Sequence, residues 1–113
     1  MLDVLVVEDD AASREALATW VGQKGMKCRA AGSLAAARAA LSERTPDITL
    51  LDLMLPDGNG LQLLGELRKL PESEVVVISG RSTVNTTIES FRGGASDVLT
   101  KPVKLSHLET LLQ

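Results

Sequence analysis

Short runs of apolar, mostly β-branched residues alternate along the chain with longer stretches in which apolar residues recur every three or four positions. The first pattern suits buried strands and the second amphipathic helices, so the alternation predicts repeated βαβ units around a parallel sheet. Strands are expected near 3–8, 27–31, 47–52, 74–79 and 96–100, and helices near 11–24, 34–43, 60–70, 83–92 and 104–113. Leu17, Trp20 and Val21 mark one helical face, Leu34, Ala37 and Leu41 a second, and Val84, Ile88 and Phe91 a third, with Trp20 expected in the core. Gly25 follows the first helix, Ser33 and Ser82 stand where they can cap the second and fourth, and Gly93-Gly94 closes the fourth. Lys27 to Ala31 is polar for a buried strand and belongs at a sheet edge.

Composition adds bounds to this picture. The chain has 113 residues, enough for one continuous core and not for two, and 44% of them are hydrophobic. A net charge of −3, with no basic stripe, gives no footprint for direct binding to nucleic acid. No apolar stretch approaches the ~20 residues that span a bilayer, and the single cysteine, Cys28, allows no internal disulfide. A soluble protein of the reducing cytoplasm, without a membrane partner, is the expectation.

The chemistry lies where the strand-like runs stop. Val4 to Val7 leads into Glu8-Asp9-Asp10, Ile48 to Leu51 into Asp52, Val75 to Ile78 into Ser79, and Val98 to Thr100 into Lys101-Pro102. Open parallel sheets bind ligands beyond the carboxyl ends of their strands, so these four tips should meet. Carboxylates gathered there repel, by up to about 4 kcal/mol for two charges 4 Å apart at an effective dielectric near 20. Such a cluster asks for a cation, and oxygen-only ligands suit a hard ion such as Mg²⁺. Asp52 is then a natural phosphoryl acceptor, Lys101 supplies charge for the phosphoryl oxygens, and the Ser79 hydroxyl can donate to one of them.

These pieces, VVEDD at 6–10, LLDLMLPDGNG at 50–60, VISG at 77–80 and LTKP at 99–102, are where the chain resembles the receiver domain of two-component response regulators. The resemblance runs from Val4 to the helix after Pro102. It implies a flavodoxin-like (βα)5 doubly wound sheet of strand order 2-1-3-4-5, with Asp52 the phosphorylation site and Glu8 and Asp9 the acidic pair. Of that pair Asp9 is favoured as the direct Mg²⁺ ligand, the Met54 backbone carbonyl completes the metal site, and Lys101 and Ser79 take the phosphoryl-contact and switch roles. A cis peptide before Pro102 would turn the lysine inward. The implied partners are a sensor histidine kinase and a second copy of the chain, paired through the fourth helix, fifth strand and fifth helix. There Glu89, Arg92, Asp97 and Lys104 offer both signs of charge.

In many receivers an aromatic residue lies three positions before the conserved lysine; here that position is Val98. The tail from Ser82 to Leu112 is similar to receivers that open enhancer-binding activators of the nitrogen-regulator type. Residues 1–113 thus read as one receiver domain trimmed from a longer regulator whose effector domain is missing, the domain acting as a self-modifying switch rather than an enzyme with a turnover substrate.

Plainer readings stand beside these. Asp57, in Pro56-Asp57-Gly58, reads as a turn residue, and Asp10 as either the cap of the first helix or an outer acid of the cluster. His107 and Cys28 read as an exposed residue and a small strand side chain. A dehalogenase-type phosphatase would carry a second Asp at position 54, where this chain has Met. A flavin carrier would want Ser, Thr and Gly where Glu8-Asp9-Asp10 stands, and a receiver reduced to a docking surface would not need the intact set of acids and lysine.

Overall fold

The computed structural model describes residues 2–80 and 84–112, the side chains of 84–86 excepted. The elements in order are β1 (Asp3–Val7), α1 (Ala11–Gln23), β2 (Lys27–Ala31), α2 (Leu34–Glu43), β3 (Ile48–Asp52), β4 (Met54–Leu55), β5 (Gly58–Asn59), α3 (Gly60–Leu67), β6 (Glu74–Ser79), α4 (Val84–Arg92), β7 (Asp97–Thr100) and α5 (Leu105–Leu111). Five strands form one parallel sheet in the order β2-β1-β3-β6-β7. Counting only its five strands, this is the expected 2-1-3-4-5 arrangement, with β2 at an edge. Every residue of β1 and β3 is buried, as their unbroken apolar runs require, whereas β2 is mostly accessible.

The two faces of the sheet carry separate cores. Leu5, Val7, Leu51 and Val77 pack with Leu34 and Ala37 of α2 and Leu63, Leu64 and Leu67 of α3. Val4, Val6, Leu50 and Ile78 pack with Leu17 and Val21 of α1 and with Leu108 and Leu112 around α5. Alternation along each strand supplies both sets, since successive side chains point to opposite faces. Trp20 lies half-buried on the rim of the second core, with Lys24 Nζ 5.6 Å from its ring centroid, rather than at its centre.

Local signals place the helix ends. Asp10 caps α1 by accepting from the Ser13 N–H at 2.8 Å, and Ser33 caps α2 by accepting from the Ala36 N–H at 3.1 Å. The Ser82 cap expected for α4 lies outside the described residues.

Two residues of the apolar stripe expected on α4 are exposed, Ile88 at 43% and Phe91 at 49%, while Ser90 is fully buried. The Val84 side chain lies outside the described set. The chain just past α4 runs close against α3, where a Cβ added at Gly93 would lie 2.7 Å from Leu64 Cδ2. A second unforeseen feature is the antiparallel pair β4–β5, a tight hairpin directly after β3.

Candidate phosphoryl site

Parallel strands of similar length bring their carboxyl ends to one edge, and four chemically active residues stand there. Glu8 follows β1, Asp52 ends β3, Ser79 ends β6, and Lys101 follows β7. Register sets them side by side: Asp52 pairs with Ile78, the residue before Ser79, and Ser79 pairs with Thr100, the residue before Lys101. The Lys101–Pro102 peptide is cis, and Lys101 N–H donates to Ser79 O at 3.0 Å. The lysine turns onto the acids, with Nζ donating to Glu8 Oε1 at 2.6 Å and to Asp52 Oδ2 at 2.8 Å. The other Asp52 oxygen, Oδ1, accepts from the Met54 N–H at 3.0 Å.

Glu8, Asp9 and Asp52 each offer a carboxylate oxygen within 4.8 Å of the others. Glu8 and Asp52 are buried and Asp9 is exposed, so the cluster opens to solvent on the Asp9 side. Glu8 Oε2 is buried with no hydrogen-bond partner, a costly state for a carboxylate oxygen that a bound cation would relieve. An all-oxygen donor set with one orphaned buried oxygen fits a metal ion, and among the described residues these three carboxylates could hold it.

The two buried acids have opposite titration. Burial pushes Glu8 up to about 7, the neighbouring Asp52 carboxylate adds to the rise, and Lys101 opposes it. Burial also pushes Asp52 up, but its interaction with Glu8 and the hydrogen bonds from Lys101 and the Met54 N–H outweigh it and hold Asp52 below the usual carboxylate range. Burial lowers Lys101, yet its contacts with Asp52 and Glu8 leave it above its ordinary value. Asp52 is thus an ionised carboxylate at neutral pH beside a fixed ammonium, the state in which a carboxylate can act as a nucleophile. A cavity of about 640 Å³ adjoins the cluster, lined by Glu8, Asp52, Lys101, Ser13, Leu17 and Val103 among others.

Of the other residues considered from sequence, Asp10 does not join the cluster; it is exposed and serves α1 as its cap. The Met54 side chain is 55% exposed, and only its backbone touches the site. His107 is exposed on α5, and the Cys28 thiol is half-buried and free. One contributor escaped the sequence reading. Arg14 reaches back from α1, its Nη1 donating to Glu8 O at 2.9 Å and Asp9 O at 3.3 Å, which fixes the loop carrying the acidic pair. Its position one turn into α1 was the available signal.

The family model for the response regulator receiver domain matches residues 4–113. The chain is 36% identical over 113 residues to the KDP operon transcriptional regulatory protein KdpE of Escherichia coli, covering 100% of this chain and 50% of KdpE. With the response regulator protein PilR of Pseudomonas aeruginosa it shares 35% identity over 109 residues, 96% of this chain and 24% of PilR. Among solved structures, NtrX from Brucella abortus is similar with a TM-score of 0.90 and 35% identity, over 98% of this chain and 26% of NtrX. The chain spans half or less of the length of these relatives.

Proposed function

The chain belongs to the response regulator receiver domain family, and we propose that it is a phosphoacceptor switch in which Asp52 takes a phosphoryl group from a sensor histidine kinase. The observation that carries this reading is the state of Asp52: buried at the end of β3, held ionised, and flanked by Lys101 at 2.8 Å and by the orphaned oxygen of Glu8. An Asp52 carboxylate oxygen attacks the phosphorus of the kinase phosphohistidine. An O–P bond forms, the P–N bond breaks, and its electron pair leaves with the imidazole. Lys101 stands ready to exchange its contacts with Glu8 and Asp52 for the incoming phosphoryl oxygens. Ser79, buried one register step away, donates its hydroxyl to another.

Glu8, Asp9 and Asp52, with the Met54 backbone carbonyl, would hold Mg²⁺, which when bound neutralises charge on the transferring group. Removal of Lys101 from the two acids and the draw on Ser79 bias the segment that follows Gly80, including α4, between two arrangements. The domain is regulatory; catalysing its own phosphorylation and dephosphorylation belongs to the proposal. So do a cytoplasmic location, control of an effector in transcription like that named for KdpE, and pairing of activated copies through α4, β7 and α5.

Intact-mass measurement after incubation with acetyl phosphate and Mg²⁺ tests the site. One phosphate adduct is expected, absent without Mg²⁺ and absent in Asp52→Asn. Undiminished labelling of that variant would refute Asp52 as acceptor.

A further inference from the structure

The hairpin that follows the acceptor is tied at its far end to a different helix. Asp57 lies at its tip, between β4 and β5, and its two carboxylate oxygens accept separately from the Leu34 N–H at 2.8 Å and the Ala35 N–H at 3.0 Å. These are the first two backbone donors of α2, otherwise unpaired within the helix. Gly58 lies against the same helix, where an added Cβ would come 2.6 Å from Leu34 Cδ1.

At its near end the hairpin is joined to the acceptor with little slack. Met54 N–H donates to Asp52 Oδ1 at 3.0 Å and Gly60 N–H to Leu53 O at 2.8 Å, and a Cβ added at Gly60 would lie 2.4 Å from Asp52 O. Helix α2 already has its own cap in Ser33, so the Asp57 bonds are a second cap supplied from outside. Their mechanical consequence falls on the hairpin. The same corner of the chain also supports the acidic loop: Ala31 O accepts from the Glu8 N–H at 3.0 Å, and Gly32 leaves room for Arg14, whose Nη1 would lie 2.7 Å from an added Cβ.

On the reading of Asp52 as phosphoacceptor, we propose that Asp57 is a positioning residue of the phosphoryl site. It anchors the hairpin tip to the start of α2 and thereby fixes the Met54 backbone against Asp52. Asp57 makes no contact with the acids itself. Its negative charge suits the helix N-terminus, and the hydrogen bonds from Leu34 and Ala35 hold its carboxyl below the ordinary range, so the anchor is ionised at neutral pH.

Ser33→Ala is the matched control, because it removes a bond from the same end of α2 and none from the hairpin. Three variants of the full chain, Asp57→Ala, Asp57→Asn and Ser33→Ala, should be compared by melting temperature, by the ¹H–¹⁵N resonance of Met54 in the metal-free state, and by calorimetric Mg²⁺ titration. Asp57→Ala should shift the Met54 resonance and weaken Mg²⁺ binding by about ten-fold, the lower end of the effect of residues that orient metal ligands. Asp57→Asn keeps one acceptor oxygen and should lie between Asp57→Ala and wild type. Ser33→Ala should lower the melting temperature yet leave both the Met54 resonance and Mg²⁺ affinity as in wild type. An unmoved Met54 resonance in Asp57→Ala, or equal changes in Asp57→Ala and Ser33→Ala, would overturn the proposal. Failure of wild-type Asp52 to accept phosphate would instead overturn the parent reading, while the Met54 resonance still decides the role of Asp57.

Discussion

Glu8→Gln should make the metal-free protein more stable at alkaline pH, although it removes a member of the acidic cluster. Burial, with the adjacent Asp52 carboxylate adding and Lys101 opposing, raises the Glu8 carboxyl from 4.5 to about 7. An acid raised in this way holds its proton more tightly folded than unfolded. Its contribution to stability is therefore full below 4.5 and is lost as pH climbs to about 7. At about 1.4 kcal/mol per pH unit, the rise amounts to roughly 3 kcal/mol. That is an upper figure, because water reaches the cluster on its exposed Asp9 side.

Glutamine has the shape and neutrality of the protonated acid, and its carbonyl oxygen can accept from Lys101 Nζ as Oε1 does. The stability gap between variant and wild type should be small at acid pH and grow above neutrality to at most about 3 kcal/mol, or about 10 °C in melting temperature. The depressed Asp52 titrates in both proteins, below the pH range in which the gap opens. Thermal and urea unfolding followed by circular dichroism, in EDTA across this pH range, measures the gap. Saturating Mg²⁺ should then stabilise wild type more than the variant and narrow it. Equal stabilities in EDTA at alkaline pH, or a gap that shrinks as pH rises, would refute the electrostatic account of the cluster.

Two further outcomes are expected of the activated state. Val98 is half-buried in β7, opposite Val77, and valine is stiff about χ1 and too small to swing between exposed and buried poses, so the switch should run through Ser79 and the backbone after Gly80. Ser79→Ala should then uncouple Asp52 phosphorylation from NMR shift changes across residues 84–93, while Val98→Ala retains them; equal loss in both would make Val98 part of the switch. Activation by a phosphoryl mimic should also strengthen self-association, since α4 already exposes Ile88 and Phe91 beside the charged Glu89 and Arg92. Sedimentation velocity over a concentration series reads this, and a strictly monomeric activated protein would count against the pairing face.

Legible in the order of residues were the βα alternation, the edge position of β2, the caps at Asp10 and Ser33, and the meeting of Glu8, Asp9, Asp52, Ser79 and Lys101 at one edge. Each follows from short-range rules: a period of two or of three to four residues, a side chain reaching its own helix three residues on, and strands that must all end on the same side of a parallel sheet.

Other features arise from packing between distant segments. Asp57 reads locally as a turn residue, and nothing nearby in sequence shows that its carboxylate spans 23 residues to reach Leu34. Periodicity located an apolar stripe on α4 but not which side of the helix the packed fold buries, and Ser90 lies inside while Ile88 and Phe91 lie outside. The unequal titration of Glu8 and Asp52 has the same origin. Two acids of the same chemical type are separated by which oxygens the fold happens to satisfy: both of Asp52, by Lys101 and Met54, and only one of Glu8. Spacing along a chain fixes which groups can face one another, while the distances that set hydrogen bonding and desolvation exist only once the elements have packed.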